Sequence, residues 1–164
     1  MPGKEKTLQD LFLETLKDVY HAEKQILGAL PKMAKAAHSD ALRQAFETHR
    51  TETEGQVARL EQIFEAMGKA ARGKPCEAIA GLIEEGKEVM EDFKDSAALD
   101  PGLLAGAQAV EHYEISRYGT LKSWAIQLGM RDAAKLLDQT LQEEKRTDAL
   151  LTKLAEASLN AEAA

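Results

Sequence analysis

Cysteine, proline and aromatic residues are all scarce in this chain of 164 residues. A single cysteine, Cys76, excludes an internal disulfide framework and any paired-cysteine metal or redox motif. Four prolines and 5% aromatics, set against abundant Ala, Leu, Glu, Lys and Gln, argue against a strand-rich fold and favour helix throughout. No apolar run approaches the roughly 18 residues of a membrane span. No signal-like stretch precedes the first amphipathic pattern, so a soluble, cytoplasmic protein without membrane contact is expected. The net charge of −7 offers no basic face for nucleic acid, and its plain role is solubility. The length fits one domain over residues 1–164, with a core that needs no staples.

What the chain has in abundance is helical periodicity. Thr7 followed by Asp10 is a capping signal. The stripe Leu8, Phe12, Leu16, Val19, Glu23, Ile26, Leu30, Met33 predicts a first helix that Pro31 kinks without ending. Ala37-His38-Ser39-Asp40 is a short break in which Ser39 or Asp40 can cap the next helix. A second stripe, Leu42, Ala45, His49, Glu52, Gln56, Leu60, Ile63, Met67, closes at Gly68 and forms an antiparallel hairpin with the first. Residues 69–75 read as a linker, and Ile79 to Phe93 as a further, less regular helix. Asp100-Pro101 supplies a cap and a first turn. A third stripe, Leu104, Ala107, Glu111, Glu114, Tyr118, Leu121, Ala125, Leu128, stops at Gly129. The fourth follows Leu137, Leu141, Glu144, Asp148, Leu151, Ala155 from Arg131 to Ser158, with a tail expected to fray. The predicted fold is all-α: a ferritin-like four-helix bundle of two antiparallel hairpins, joined by a long crossover that carries an additional helix.

The chemistry sits where these stripes stop being apolar. Glu111 and Glu114 lie one turn apart on a face that should be buried, and buried carboxylates are costly unless paired, protonated or metal-bound. A weak internal repeat sets Val19 beside Val110, His21 beside His112, Glu23 beside Glu114 and Leu30 beside Leu121. The first long helix thus offers Glu23, the second His49 and Glu52, the third Glu111 and Glu114, and the fourth Glu144 and Asp148. So many carboxylates cannot all stay ionised in a low-dielectric core without cations. Two divalent metal ions would offset the repulsion. A carboxylate-rich set with one imidazole suits iron or manganese, and a mixed site admits zinc. The candidate metal ligands are therefore Glu23, His49, Glu52, Glu111, Glu114, Glu144 and Asp148, the last either a ligand or an acceptor that orients one. Tyr20, Tyr113 and Tyr118 can hydrogen-bond these carboxylates. His21 and His112 fall beside their stripes, Glu143 is ambiguous and open to solvent, and Cys76 is expected to be inert. The competing reading is a non-enzymatic scaffold or partner-binding bundle whose inward carboxylates are protonated or water-bridged.

The segments Asp18-Val19-Tyr20-His21-Ala22-Glu23-Lys24-Gln25, His49-Arg50-Thr51-Glu52-Thr53-Glu54-Gly55-Gln56, Val110-Glu111-His112-Tyr113-Glu114-Ile115 and Thr140-Leu141-Gln142-Glu143-Glu144 resemble the bacterial YciE/YciF-type ferritin-like family. The resemblance runs from Leu8 to Leu154. It implies a rubrerythrin-like bundle, a dinuclear metal site with iron as the first candidate, a homodimer and a link to bacterial stress responses. Ferroxidase or peroxide-directed oxidoreductase activity, with O2 or peroxide as partner, follows as an expectation. The wider ferritin and rubrerythrin pattern supplies Glu-x-x-His from its second and fourth helices. Here Glu52 is followed by Gly55 and Glu144 by Thr147, and a histidine instead precedes its glutamate, as His49-x-x-Glu52. Either that imidazole reaches the metal from the neighbouring turn or the site is all-oxygen. With no rubredoxin-like cysteine module, electrons would come from an external donor.

Overall fold

A computed structural model describes residues 3–164 of the chain. Four long helices form the bundle: α1 (Leu8–Ala36), α2 (Asp40–Ala66), α4 (Leu99–Gln127) and α5 (Arg131–Leu154). The crossover between the hairpins carries α3 (Glu77–Asp92). No strand occurs among the described residues, and none of their helices is long and apolar enough to cross a membrane.

The ends of these helices follow from local chemistry. Thr7 and Asp10 exchange side-chain and backbone bonds as a capping box, and α1 then runs through Pro31 to Ala36. Ser39 is the cap of α2, its hydroxyl accepting from the Leu42 N–H at 3.3 Å. α2 and α4 stop in the same way, at Gly68 (φ 65°) and Gly129 (φ 74°) in the left-handed region. After each glycine the next N–H turns back to the last helical turn: Lys69 to the Phe64 carbonyl at 2.9 Å, and Met130 to the Ala125 carbonyl at 2.8 Å.

One expected cap is placed elsewhere. Asp100 lies inside the first turn of α4, which begins at Leu99 with no side-chain cap. Its carboxylate is buried and accepts from the N–H groups of His38 at 2.8 Å and Ser39 at 2.7 Å. It therefore ties the α1–α2 turn to the start of α4. Beyond α5, a π turn (Ala155–Leu159) leads into the short α6 (Asn160–Ala163), where fraying was expected. Buried Ala155 and Leu159 hold this end on the core.

The tightest pairs are α1 with α2 and α4 with α5, the two hairpins; α1 also packs on α4, and α2 on α5. Tyr118 reaches Glu23 while Asp100 reaches His38, so α1 and α4 run antiparallel. Thr147 reaches Glu52 while Arg59 reaches Thr140, and α2 and α5 are antiparallel likewise. Every neighbouring pair is thus antiparallel. α3 lies across α1 and α4. The linker before α3 presses on α1, where Gly73 leaves no room for a side chain: a Cβ there would stand 2.9 Å from His21 Cβ.

The apolar core comes in two parts. One holds Ile26, Leu30, Leu42, Phe46, Leu103, Leu104 and Leu151, with Ile79 of α3. The other holds Phe12, Leu16, Val19, Leu60, Ile63, Phe64, Tyr118, Leu121 and Leu137. Between them in sequence, on all four long helices, lie buried polar residues: Glu23, His49, Thr53, Gln56, Glu111, Glu114, Glu144 and Thr147.

Removing the Asp100 carboxylate should leave two turn N–H groups without their acceptor. Asp100→Ala is expected to cost about 2 kcal/mol, seen as a lower urea midpoint at unchanged slope. A midpoint within error of the parent would show that the tie contributes nothing.

Candidate metal centre

Each functional side chain owes its direction to helical phase. On α4 the buried positions Leu104, Ala107, Glu111, Glu114, Tyr118 and Leu121 follow alternating steps of three and four, which keeps both glutamates on the inner face. On α1, Val19, Glu23 and Ile26 do the same, and on α5, Leu137, Leu141 and Glu144. On α2 the inner face passes from His49 to Thr53 and Gln56.

At the centre, His49, Glu111, Glu114 and Glu144 each present a ligand atom, and these atoms lie within 4.8 Å of one another. All four are buried. His49 Nε2 stands 3.1 Å from Glu111 Oε1 and 3.7 Å from Glu144 Oε2, without the alignment of a hydrogen bond. Glu23 is fully buried, accepts at Oε1 from the Tyr118 hydroxyl, and adds its charge to the same group. Its Oε2 has no partner. Neither have His49 Nε2 or both oxygens of Glu111, Glu114 and Glu144 among the described residues.

Such a density of unsatisfied acceptors sets the electrostatics. Burial pushes Glu23 up to about 7, helped by the Glu144 charge. Glu111 and Glu114 are driven well above the carboxylate range by burial, with Glu144 and Glu23 adding repulsion. Burial acts on Glu144 in the same sense. There it is overcome by the neighbouring Glu111, His49 and Glu114, which hold the carboxyl down at about 2. Burial likewise lowers His49, but the adjacent Glu144, with Glu23 and Glu52, reverses this and raises it. Two ionised carboxylates offer each other only acceptors, so these contacts become hydrogen bonds only when a proton lies between them. Without a cation, burial and mutual repulsion thus shift Glu23, Glu111 and Glu114 toward their neutral forms, while His49 and Glu144 shift each other toward their charged forms. A buried His/Glu group of this kind could hold a metal ion.

The seven predicted residues do not all meet. Glu23, His49, Glu111, Glu114 and Glu144 converge. Glu52 stands at the flank of α2, only partly buried, with Oε2 accepting from Thr147 Oγ1 at 3.2 Å. Its charge still acts on His49. Asp148 turns away from the centre, accepting from Gln108 Nε2 at 3.2 Å and lying 3.3 Å from His112 Nε2. In both cases a threonine takes the inner position: Thr53 follows His49, and Thr147 follows Glu144.

The surrounding polar residues were less legible. The carboxylate of Glu143 is only 13% exposed, paired with Arg59 and accepting from Gln56 Nε2 at 3.1 Å. Arg59 also donates to Thr140 Oγ1 at 2.9 Å. Nothing in the stripe of α5 separates a solvent-facing Glu143 from one met by an arginine on another helix. All three tyrosines donate to carboxylates: Tyr20 to Glu61, Tyr113 to Asp18 (each 2.9 Å) and Tyr118 to Glu23. Cys76 is the buried cap of α3, with Sγ 3.1 Å from the Tyr113 hydroxyl.

Comparison with known proteins agrees with this architecture. The family model described as "Domain of unknown function (DUF892)" matches residues 7–164. Protein YciF of Escherichia coli K12 is 49% identical over 160 residues, covering 96% of both chains. The crystal structure of the E. coli stress protein YciF superposes with a TM-score of 0.90 at 48% identity, over 95% of this chain and 99% of that one. The structure of YcfI from Rhodopseudomonas palustris gives 0.88 at 43% identity, over 93% and 97%. With the family model matched over residues 7–164 and the YciF structure superposed over nearly the whole of both chains, the chain belongs to the DUF892 family and is of the YciF type.

Proposed function

We propose that this protein binds a pair of divalent metal ions, iron first, between the four long helices, and uses them in oxidative chemistry toward O2 or peroxide. The observation that carries this reading is the set of unpartnered buried oxygens on Glu23, Glu111, Glu114 and Glu144, with His49 Nε2 among them. Unsatisfied buried acceptors in such number are destabilising unless they serve a ligand. The stress-protein name of the E. coli relative supports a role for such chemistry in stress defence.

Glu23, His49, Glu111, Glu114 and Glu144 would hold the ions, with Glu52 completing the set from the flank of α2. Bound iron supplies one-electron steps toward oxygen species, which no side chain here can provide alone. The chain itself fixes the donors and stores the protons. The Tyr118 hydroxyl holds one oxygen of Glu23, leaving the other directed at the cluster. Thr147 donates to one oxygen of Glu52 at the edge of the group. Burial favours protons on Glu111 and Glu114, and loading a metal would release them.

Protein purified without chelator and reconstituted with ferrous iron should carry about two metal ions per chain by elemental analysis. Glu23→Gln/Glu114→Gln should lose most of them while staying folded, because each amide keeps the shape of its carboxyl group. Undiminished metal content in that double variant would sink the assignment. Mixing metal-free protein with ferrous iron in air should oxidise it faster than buffer and faster than the variant. A rate equal to buffer would leave a structural bundle with protonated carboxylates.

The pKa shifts also set a pH dependence. Glu23, Glu111, Glu114 and His49 are raised in the folded state, so they hold protons more tightly there than in the unfolded chain. Their stabilising contribution is complete below the unfolded values and is lost as pH rises through the folded ones. Glu144, depressed to about 2, acts oppositely but only in the acid range below its unfolded value. The Tm of metal-free protein should therefore fall from pH 5 to pH 8, while the gain in Tm on adding metal grows over the same interval. A metal-free Tm that rises through this range would contradict the charge assignment.

A further inference from the structure

Two walls of the metal cluster are also the floor of a cleft. A cavity of about 310 Å³ opens between α1, α3 and α4, and both His49 and Glu111 line it. Its sides are apolar, formed by Ile26, Leu30, Met33, Leu82, Ile83 and Leu103 among others. Exposed lysines stand at its outer edge: Lys24 and Lys32 from α1, and Lys87 from α3. The cleft thus runs from a cationic rim, through an apolar throat, to buried polar atoms that lack partners, Glu111 Oε1 and Oε2 and His49 Nε2.

Three glycines line it. Gly28, Gly86 and Gly106 sit in the interiors of α1, α3 and α4, one on each wall. A Cβ added at any of them would meet no atom within 4 Å. Glycine in a helix interior is destabilising by about 1 kcal/mol relative to alanine. No close packing at these three positions requires it, in contrast to Gly102, where a Cβ would stand 2.7 Å from Val89 Cγ1. A larger side chain at any of the three therefore has room to extend from the wall of the cleft.

We propose that this cleft binds a medium-chain aliphatic carboxylate, its anionic head held by the rim lysines and its chain end brought against His49 and Glu111. The charge pattern dictates the orientation. A carboxylate at the floor would lose its hydration among the buried carboxyl groups, whereas at the rim it stays in water beside lysines. An apolar throat of this volume lies at the lower end of the range of small-molecule pockets and suits one alkyl chain. Reading the cleft as the substrate pocket of the metal centre rests on the function proposed above. The binding itself does not, and it is tested on metal-free protein so that the two can fail separately.

Titration calorimetry of chelator-treated protein with octanoate and decanoate should show saturable binding, tightening roughly fourfold per added methylene. Gly28→Leu and Gly106→Leu fill the throat and raise helix propensity. Each should keep or raise Tm, leave metal content unchanged, and weaken decanoate roughly tenfold or more. Lys32→Gln/Lys87→Gln should weaken decanoate several-fold and leave decanol unaffected. Absence of saturable binding, unchanged affinity in both leucine variants, or decanol bound as tightly as decanoate would each overturn the proposal. Metal content that follows the glutamates while decanoate fails to bind would overturn this inference alone.

Discussion

The structure depends on how four helices tolerate a layer of buried carboxylates through the middle of their core. Glu23, Glu111, Glu114 and Glu144 lie in a space where each ionised group raises the cost of ionising the next. The apolar residues on either side form two separate clusters rather than one, because this layer interrupts them. Stability must come from those two clusters, and the layer between them draws on it unless protons or metal ions supply positive charge. His49 and Glu144 shift each other toward their charged forms, while burial shifts Glu23, Glu111 and Glu114 toward neutrality.

Keeping such a layer in register requires the helices to be fixed lengthwise, and several polar ties serve that end. Asp100 joins the first turn of α4 to the α1–α2 turn, Tyr118 joins α4 to Glu23, and Thr147 joins α5 to Glu52. Arg59 adds a contact from α2 to Thr140 and Glu143 of α5. Each tie crosses between the two hairpins rather than within one. The hairpins have polar ties of their own, Tyr20 to Glu61 in the first and Gln108 and Lys122 to Asp148 and Asp138 in the second, beside the geometry set by Ser39 with its short turn and by Gly129. α3 and its linker close over one side, and the cleft they leave against α1 and α4 reaches His49 and Glu111.

The sequence legibly carried the helices, their order and their ends. Thr7 with Asp10, Ser39, Gly68 and Gly129 are local signals whose physics needs no partner element, and each stands at the boundary it marked. Asp100 carried the same kind of signal and serves differently, because a partner N–H pair from another turn competes for its carboxylate. Periodicity alone brought Glu23, His49, Glu111, Glu114 and Glu144 to one inner face, since each sits squarely within an apolar stripe. It was weakest at Glu52 and Asp148, where a residue one position along competes for the same face. Steps of three and four are both allowed after His49 and after Glu144. Packing across α2 and α5 took the threonines inward and left the carboxylates at the edge.

By itself, then, the sequence determined an all-helical chain, two hairpins with a long crossover, and an excess of carboxylates on inward faces. Those are properties of one helix at a time, set by propensity, capping and the period of the stripe. Only the tertiary structure decided which carboxylates meet, in which direction each one's affinity for protons is shifted, and that a cleft between three helices ends on two of the site residues. These depend on distances between side chains far apart in sequence, where a shift of one helical position exchanges a buried ligand for a surface charge.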